Sequence, residues 1–531
     1  MKWLKGGVAE TIAEVVEDHF NLPVSEIMKH KENDFTEAEI MADYLIDVVE
    51  KPYIVGDYDA DGITSSVILS SLIRSIGKEC EVYIPRRFTD GYGLNPRIVK
   101  DIPEGFDSLV TVDNGIAAKN AIDGCDLDTY IIDHHLAPLG ELPNAKFIFD
   151  PEAIPKNHEF THYCAAGLCL KIAQVFLDKD LISHKLYRRL LILSGIATIA
   201  DVMPLVNENR LIVADMLRIG QTEWTKLFEC FGITGSFPTA KDVAFKIAPI
   251  INATGRLYDQ GGQTVYNIIM KALFEDEYDF KMLIDNNEER KSYQNVFVTK
   301  AINRYDDSQG IIVQHIKGLP EGLTGIVAGK LAEKFHKPAI VFTDDQTKTF
   351  YKGSARSYGE FHIKNFLDKN ADLFIKYGGH QGAAGMSLYE AEYKKLLDVV
   401  KDVKIPASDI LYYDLDLDPT NIEKAIGELM PFAPYGEGNP EVVFHTKVSS
   451  LSKKDIGLNG VKFNCDGFDV VSFDAREKAE KIEPGDTFEV IGTLSLNEFR
   501  GEITPQIEVI DLKPIINKEQ KKGDETPTFL L

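Results

Sequence analysis

The sequence predicts a multidomain α/β protein with a doubly wound, mainly parallel sheet, a long connecting helix, a smaller second α/β domain and a C-terminal β-barrel. Short apolar runs that end in aspartate, PYIVGD, DSLVTVD and DTYIID, alternate with helical segments such as GITSSVILSSLIRSIG. This alternation is typical of parallel sheets. Residues 265–305 have a helical pattern without proline or glycine. Beyond residue 405, short alternating strands and turns favour a small barrel.

These patterns divide the chain into five predicted units. They are an N-terminal segment with the first domain at 1–264, the connecting helix at 265–305, the second α/β domain at 306–404, the barrel at 405–514 and a flexible polar tail at 515–531.

The composition is that of a globular protein, with 44% hydrophobic and 27% charged residues. No apolar run approaches the roughly 20 residues of a membrane span, so we expect no membrane association. The six cysteines form no CxxC pair, which favours a reducing cytoplasm over a disulfide framework. A net charge of −25 argues against a general nucleic-acid binder, so any nucleic-acid site must be a local basic cleft.

Three aspartates, Asp57, Asp59 and Asp61, follow the first apolar run at every second position. In an extended segment such residues point the same way, and their charges repel unless a cation lies among them. Mg²⁺ and Mn²⁺ prefer such oxygen ligands. A calcium loop would need Glu at its twelfth position, where this chain has Ile68. The pattern predicts a metal site, and a solvated turn is the alternative.

Aspartates also end the next two predicted strands. Asp113 and Asp133 follow DSLVTV and DTYII, and ligands of parallel sheets bind beyond the carboxyl ends of the strands. Asp201 lies near the end of the apolar segment LLILSGIATIADVMPL. A buried acid there needs a partner; alternatively the helix has already ended and Asp201 lies in the loop before Pro204.

The motifs GDYDADG, VDNG, DHH and ATIADVMP, in this order, resemble those of the DHH phosphoesterase superfamily. The segments INATGRL, EGLTGIVAGKLAEKF, KGSARS, GGHQGAAGMS and PYGEGNPEVVF narrow the resemblance to the RecJ-like single-stranded-DNA exonucleases. The resemblance extends from about residue 47 to residue 512. It implies a DHH domain, a DHH-associated second domain and an oligonucleotide-binding (OB) barrel.

The resemblance also implies two divalent cations, Mn²⁺ or Mg²⁺, bridged by Asp113. The implied ligands of the first ion are Asp57, Asp59 and Asp113, and those of the second are Asp61, Asp113, His134 and Asp201. Asp113, His134 and His135 are the expected catalytic residues, with Asp133 as their neighbour.

A substrate pocket is implied on the same basis. Arg87, Arg256, Ser354 and Arg356 resemble a pocket for a 5′-terminal phosphate. Ser354 and Arg356 lie two residues apart, so in a strand both can face one phosphate. The other candidate substrate-binding residues are Tyr92, Asn252, Ser357, Gly379 and His380.

The implied function is two-metal hydrolysis of single-stranded DNA from its 5′ end to mononucleotides, in DNA repair, recombination or replication. The alternatives are a hydrolase of short RNA or small nucleotides, and an inactive scaffold with the DHH fold. A monomer is expected, with a helicase or a single-strand-binding protein as a candidate partner. In the barrel, acidic residues outnumber basic ones, which leaves its role open between weak DNA binding, a structural clip and a partner dock.

Overall fold

A computed structural model describes most of the chain. The described residues are 2–29, 35–138, 140–155, 158–345, 349–401, 403–405, 410–457, 459–473 and 475–515. The predicted tail therefore lies outside the described residues, except for Ile515. None of the helices in these ranges combines the length and apolar character that crossing a bilayer requires.

The N-terminal segment packs against the C-terminal domain. It consists of β1 (Lys2–Lys5), α1 (Ile12–Phe20) and α2 (Val24–Ile27). Strand β1 pairs in parallel with the strand Ile410–Tyr413, and the apolar face of α1 belongs to the hydrophobic core of the C-terminal domain. This association differs from the predicted grouping in 1–264, because no local pattern reveals a strand partner 400 residues away.

The first domain contains a five-stranded parallel sheet with the order β3-β2-β4-β5-β6. Its elements begin with α3 (Thr36–Asp43), β2 (Pro52–Val55), α4 (Ala60–Ser75), β3 (Glu81–Tyr83), α5 (Pro96–Lys100), β4 (Ser108–Val112), α6 (Lys119–Ile122), β5 (Asp128–Ile132) and β6 (Phe147–Phe149). They continue with α7 (Ala165–Asp178), α8 (His184–Ala200), α9 (Asn207–Glu223), α10 (Thr225–Cys230), α11 (Ala240–Asp242) and α12 (Ala248–Leu257).

Helices cover both faces of this sheet, as predicted. Helices α4, α7 and α8 share the large core on one face, whereas α5 and α6 pack on the other. Because the chain moves from β2 to β3 on one side and then to β4 on the other, the order reverses between β2 and β4. Such a reversal opens a crevice at the carboxyl ends of the strands.

The predicted connecting helix is two helices, which corrects the expectation of one helix over 265–305. They are α13 (Gly261–Phe274) and α14 (Lys281–Ile302). Between them, Asp276 adopts a left-handed conformation with φ 52°. The Arg189 guanidinium fixes this break, donating to the Leu273 carbonyl at 2.7 Å and to Asp276 Oδ1 at 2.8 Å. A contact with a residue so distant in sequence leaves no trace in the helical pattern.

The second domain is a smaller α/β unit with the sheet order β10-β11-β9-β8-β7. Among the described strands of this sheet, β7 and β8 pair in parallel and the other pairs are antiparallel. Its elements are β7 (Ile312–His315), α15 (Thr324–Phe335), β8 (Ala339–Asp344), β9 (Tyr351–Arg356), α16 (Ile363–Lys369), β10 (Lys376–Gly379), β11 (Ala383–Leu388) and α17 (Glu390–Lys401).

The C-terminal domain is built on one seven-stranded sheet with the order β13-β14-β18-β19-β17-β16-β15. Among the described residues, β13 and β15 are the two edges of this sheet and do not pair with each other, so the pairings do not form the predicted closed barrel. Its elements are β12 (Ile410–Tyr413), β13 (Leu415–Asp416), α18 (Ile422–Leu429), β14 (Phe444–Ser449), β15 (Ser452–Ile456), β16 (Gly460–Asn464), β17 (Asp469–Ser472), α19 (Arg476–Ala479), β18 (Thr487–Phe499) and β19 (Glu502–Pro514).

Candidate active site

The predicted acidic residues converge at the carboxyl edge of the first sheet. Asp57 follows β2, Asp113 follows β4 and Asp133 follows β5, so the crevice between β2 and β4 opens onto all three. Asp201 comes from a helix instead of a strand, as the residue that ends α8. Side chains predicted from separate motifs therefore share one site.

The three aspartates of the first motif have different partners. Asp59 caps α4, and its Oδ1 accepts from the backbone N–H groups of Asp61 and Gly62. Asp61 is buried, and its two carboxylate oxygens accept from Ala165 N at 2.7 Å and Ala166 N at 2.8 Å. These amides form the N-terminus of α7, whose positive dipole end favours a carboxylate. The motif thus joins two helix N-termini.

Asp57 has no such support. Its side chain is fully buried, and neither of its carboxylate oxygens has a hydrogen-bond partner among the described residues. Burial and the neighbouring charge of Asp59 raise the pKa of Asp57 well above its ordinary value. A buried carboxylate with no donor is costly unless a cation completes it.

His134 stands at the centre of the remaining acids. Its Nε2 lies 3.2 Å from Asp113 Oδ1, 3.7 Å from Asp61 Oδ2 and 3.6 Å from Asp201 Oδ2. Burial lowers the pKa of His134, even though Asp61 opposes the shift. A neutral imidazole is the form that binds metals.

Burial and mutual repulsion raise the pKa of the other acids as well. The pKa of Asp113 is raised by burial and by the charges of Asp61, Asp59 and Asp57. The pKa of Asp201 rises to about 8, through burial and the charges of Asp61 and Asp59. Asp113 also adopts a left-handed conformation, with φ 59°, a strain that clusters at functional sites.

The site fits divalent cations. Potential ligand atoms lie within 4.8 Å of one another in three groups, which are Asp57 with Asp59 and Asp113, Asp61 with His134 and Asp201, and Asp113 with His134 and His135. The first two groups contain only residues that the resemblance implies as ligands, whereas the third adds His135. Their division between two ions stays a prediction. The unpartnered oxygens of Asp57 and the neutral His134 are the features that a hard cation would satisfy.

His135 and Asp133 form a separate pair beside these groups. The His135 Nδ1 lies 2.8 Å from Asp133 Oδ1, and Asp133 also accepts from the backbone N–H groups of His134 and Ile116. Burial alone would lower the pKa of His135, but the hydrogen bond and charge of Asp133 raise it to about 9. The Tyr92 hydroxyl lies 3.0 Å from His135 Nε2.

Arginines lie near Asp57 and Asp59. The Arg87 guanidinium lies 4.6 Å from the centroid of the Tyr58 ring, and Arg256 Nη1 donates to the Gly322 carbonyl at 3.2 Å. Burial and the positive charges of Arg87, Arg290 and Arg356 lower the pKa of Arg256 to about 10.

Arg87, Arg290 and Arg356 each repel Arg256, yet none of the four arginines forms an ion pair with a carboxylate in the described part of the chain. In a protein with 83 acidic side chains, such a cluster indicates an anion site.

The second domain contributes the opposite wall of this arginine cluster. Ser354 Oγ lies 2.8 Å from Thr324 Oγ1, at the first residue of α15. A β-carbon at Gly325 would lie 2.9 Å from Arg356 Nη2, so the guanidinium rests directly on the first turn of that helix. A hydroxyl, a guanidinium and a helix N-terminus together suit a phosphate.

The remaining predicted residues have structural contacts. Asn252 Oδ1 accepts from Ala60 N at 2.9 Å, which joins α12 to the first motif. The Ser357 hydroxyl donates to the Gln381 carbonyl and accepts from Ile363 N. Gly379, with φ 140°, and the exposed His380 lie in the turn that these bonds hold beside Arg356.

Sequence reasoning missed four residues that contact the candidate site residues. Arg290 lies within the charged stretch DNNEERKSYQN, where nothing distinguishes it from a solvated helix face. The amides of Ala165 and Ala166 are backbone groups without a side-chain signal. Thr324 could have been found, because a threonine before the helical run GIVAGKLAEKF is typical of a helix start.

Comparisons with known proteins agree with this arrangement. Residues 51–198 match the model of the DHH family, N-terminal domain, residues 308–404 match the DHHA1 domain, and residues 413–511 match the RecJ OB domain. These matches define the class of the first domain, which is similar to the DHH family, N-terminal domain.

Over most of its length, the chain is similar to RecJ proteins. It is 32% identical over 490 residues to the single-stranded-DNA-specific exonuclease RecJ of Bacillus subtilis, covering 87% of this chain and 61% of that protein. It is 27% identical over 520 residues to RecJ of Escherichia coli, covering 87% of each chain. The crystal structure of RecJ from Thermus thermophilus in complex with Mn²⁺ superposes with a TM-score of 0.77 at 25% identity, covering 95% of this chain and 76% of that one.

Proposed function

We propose that this protein is a metal-dependent exonuclease that hydrolyses single-stranded DNA from its 5′ end and releases mononucleotides. The names of its relatives, single-stranded-DNA-specific exonucleases, support the reaction and the substrate. A complex of a similar protein with Mn²⁺ supports the cofactor class. The number of ions, the direction and a role in repair, recombination or replication belong to the proposal.

One observation carries the proposal: among the described residues, acids without a lysine or arginine partner adjoin arginines without an acidic partner. Asp57 has no donor for its carboxylate, and Arg87 and Arg256 approach Tyr58 and Asp59 without a carboxylate bond. A phosphodiester with its metal ions would neutralise both clusters. The two clusters attract each other, but in the described part of the chain no salt bridge joins them.

The residues divide into three roles. Asp57, Asp59 and Asp113 would hold one cation, and Asp61, Asp113, His134 and Asp201 the other. When bound, two such ions supply Lewis-acid stabilisation of the oxygens of a phosphodiester and lower the pKa of water. Asp133 holds the charged form of His135 near neutral pH, so His135 can donate a hydrogen bond to a phosphate oxygen.

The arginine cluster would bind the 5′-terminal phosphate. Arg356 and Ser354 come from the second domain, whereas Arg87 and Arg256 come from the first. A terminal phosphate held between the domains restricts cleavage to chain ends, because an internal phosphate cannot enter without its flanking nucleotides. Substrate specificity then depends on the position of the two domains.

The test is digestion of a single-stranded DNA oligonucleotide, labelled at either end, in the presence of Mn²⁺. RNA and duplex DNA of the same sequence are the substrate controls, and Asp113→Ala is the protein control. We expect immediate release of a 5′-labelled mononucleotide from single-stranded DNA and none from the variant. Arg356→Gln should slow cleavage of 5′-phosphorylated DNA more than that of 5′-hydroxyl DNA.

Two outcomes would overturn the proposal. Cleavage of short RNA alone would favour the oligonucleotide hydrolases of the superfamily. Absence of cleavage of every substrate, with Mn²⁺ demonstrably bound, would favour an inactive scaffold. Single-stranded DNA is the proposed partner; a helicase or single-strand-binding protein, a monomeric state and a cytoplasmic location stay predictions.

A further inference from the structure

The segment PYGEGNPEVVF forms a tight turn in the C-terminal domain. Gly436 and Asn439 bond to each other through both backbone pairs, with Gly436 N donating to the Asn439 carbonyl at 2.9 Å and Asn439 N donating back at 3.2 Å. The buried Asn439 amide donates to the carbonyls of Phe432 and Pro434 at 2.9 and 2.8 Å. We call residues 436–439 the GEGN turn. The turn is therefore fixed by its own backbone hydrogen bonds and by those of the Asn439 side chain to the preceding residues.

The GEGN turn contacts the first domain at the loop that follows α8. Leu205 N donates to the Glu437 carbonyl at 2.7 Å. A β-carbon at Gly438, where φ is 69°, would lie 3.1 Å from Pro204 Cβ, and one at Gly436 would lie 2.8 Å from Leu205 Cδ1. Gly438 therefore lets its backbone approach Pro204 closely, and Gly436 leaves room for the Leu205 side chain.

This loop begins with Asp201. Asp201 ends α8, and Val202, with φ 56°, turns the chain sharply toward Pro204. A β-branched residue in the left-handed region is strained and persists only where its surroundings fix it. Met203 N is bonded to the Thr198 carbonyl, so only a short, strained segment separates the carboxylate from the residues that contact the GEGN turn.

A second bond supports the same junction. The buried Arg210, on α9, donates through Nη2 to the Pro431 carbonyl at 2.6 Å. Asn209 donates to the Pro204 carbonyl at 3.1 Å and to the His162 carbonyl at 2.7 Å. The loop from Asp201 to the start of α9 is therefore fixed by the C-terminal domain at one end and by its own domain at the other.

We propose that the GEGN turn is a positioning element for Asp201, so that the C-terminal domain helps to build the metal centre of the first domain. The inference rests on the proposed function, because it takes Asp201 to be a metal ligand. It gives the acidic C-terminal domain a role that does not require DNA binding. Groups that hold a metal ligand in place commonly change metal affinity by roughly 10–100-fold when they are removed.

The test is titration of the full-length protein with Mn²⁺, with the free ion followed by electron paramagnetic resonance. Gly438→Ala places a methyl group against Pro204. Gly436→Val places a β-carbon against the Leu205 side chain, at a position where φ lies outside the left-handed region. The matched control is Gly467→Ala, which lies in the same domain, has φ 84° and has no atom within 4 Å of the added carbon. We expect one of two Mn²⁺ sites to weaken about tenfold in the first two variants only.

The outcomes separate the inference from the proposed function. Unchanged affinity at both sites in Gly436→Val and Gly438→Ala would overturn the positioning role. Equal weakening in Gly467→Ala would also overturn it, since the effect would then be general destabilisation of the domain. A wild-type protein that binds no Mn²⁺ would instead refute the proposed function. If Gly438→Ala does not fold, Gly436→Val decides alone.

Discussion

At the scale of the residue, Asp57 lowers the stability of the metal-free fold and is a candidate ligand of the proposed metal site. Its carboxylate is buried without a donor, next to Asp59, and this arrangement is unfavourable in the absence of a cation. The same side chain follows β2 at the crevice of the sheet, where a ligand is needed. Asp57 therefore lowers the free energy of unfolding of the metal-free protein, and it belongs to the proposed metal site.

Replacing Asp57 with asparagine should therefore separate the two effects. Asp57→Asn keeps the shape and removes the charge, so in EDTA at pH 8 it should raise the free energy of unfolding by on the order of 1 kcal/mol. Removing a group that only supports a metal ligand lowers activity by roughly 10–100-fold. Asp57 is itself a candidate ligand, so the cleavage rate of Asp57→Asn should fall by more than this. Urea denaturation and the nuclease assay measure the two effects. The exposed Asp126→Asn should change neither; a destabilised Asp57→Asn would contradict the argument.

The acids also predict how metal binding stabilises the protein at different pH. Asp201 keeps its proton up to a pKa of about 8 in the folded state, whereas an unfolded aspartate loses it near pH 4. The metal-free protein therefore loses the stability due to this group as the pH rises from about 4 to about 8. A cation removes that loss, because it favours the ionised carboxylate.

We expect the Mn²⁺-induced increase in melting temperature to be larger at pH 8 than at pH 6. Thermal denaturation with Mn²⁺ and with EDTA at each pH measures it. An equal increase at both values would mean that the acids are already ionised in the metal-free fold.

At the scale of elements, the break between α13 and α14 depends on one arginine. Arg189 extends from α8, its guanidinium lies 5.4 Å from the centroid of the Trp224 ring, and it satisfies the Leu273 carbonyl near the end of α13. The break lets α14 start in a new direction, and α14 carries Arg290 to the arginine cluster. The end of α13 therefore influences the candidate phosphate site through the position of Arg290 on α14.

Arg189→Met should lower the free energy of unfolding by about 1–3 kcal/mol, since it leaves the Leu273 carbonyl without its donor. Arg188→Met is the matched control, because Arg188 is half exposed and pairs at the surface with Glu223; it should cost less than about 0.5 kcal/mol. Urea denaturation distinguishes them. Equal effects of the two variants would show that the break does not depend on Arg189.

At the scale of the whole molecule, the charge distribution should limit DNA affinity to a few contacts. The net charge is −25, and the arginine cluster lies between the first two domains. Release of counterions from single strands gives a slope of log K against log salt of roughly −0.7 per neutralised phosphate. Four arginines therefore predict a slope no steeper than about −3.

Fluorescence anisotropy of 5′-phosphorylated DNA in EDTA, which prevents cleavage, measures this slope. Arg356→Gln should make it shallower by at most roughly 0.7, whereas Arg218→Gln, on the exposed surface of α9, should leave it unchanged. A much steeper slope in the wild-type protein would indicate a second basic surface.

The sequence by itself determined the parallel sheet and its acidic edge. Short apolar runs specify strands locally, and parallel pairing brings their carboxyl ends to one edge, so Asp57, Asp113 and Asp133 had to meet. The division of the candidate metal ligands between two ions is implied by the resemblance and stays a prediction; the structure shows that potential ligand atoms lie within 4.8 Å of one another in three groups of these side chains.

Only the tertiary structure decided the contacts between segments that lie far apart in the chain. These include the pairing of β1 with β12, the break fixed by Arg189, the place of Arg290 and the contact of the GEGN turn with the Asp201 loop. The physical reason is that periodicity and turn chemistry act over a few residues. Packing, burial and the bonds of Leu205 and Arg210 depend on neighbours more than 200 residues away, and no local pattern encodes them.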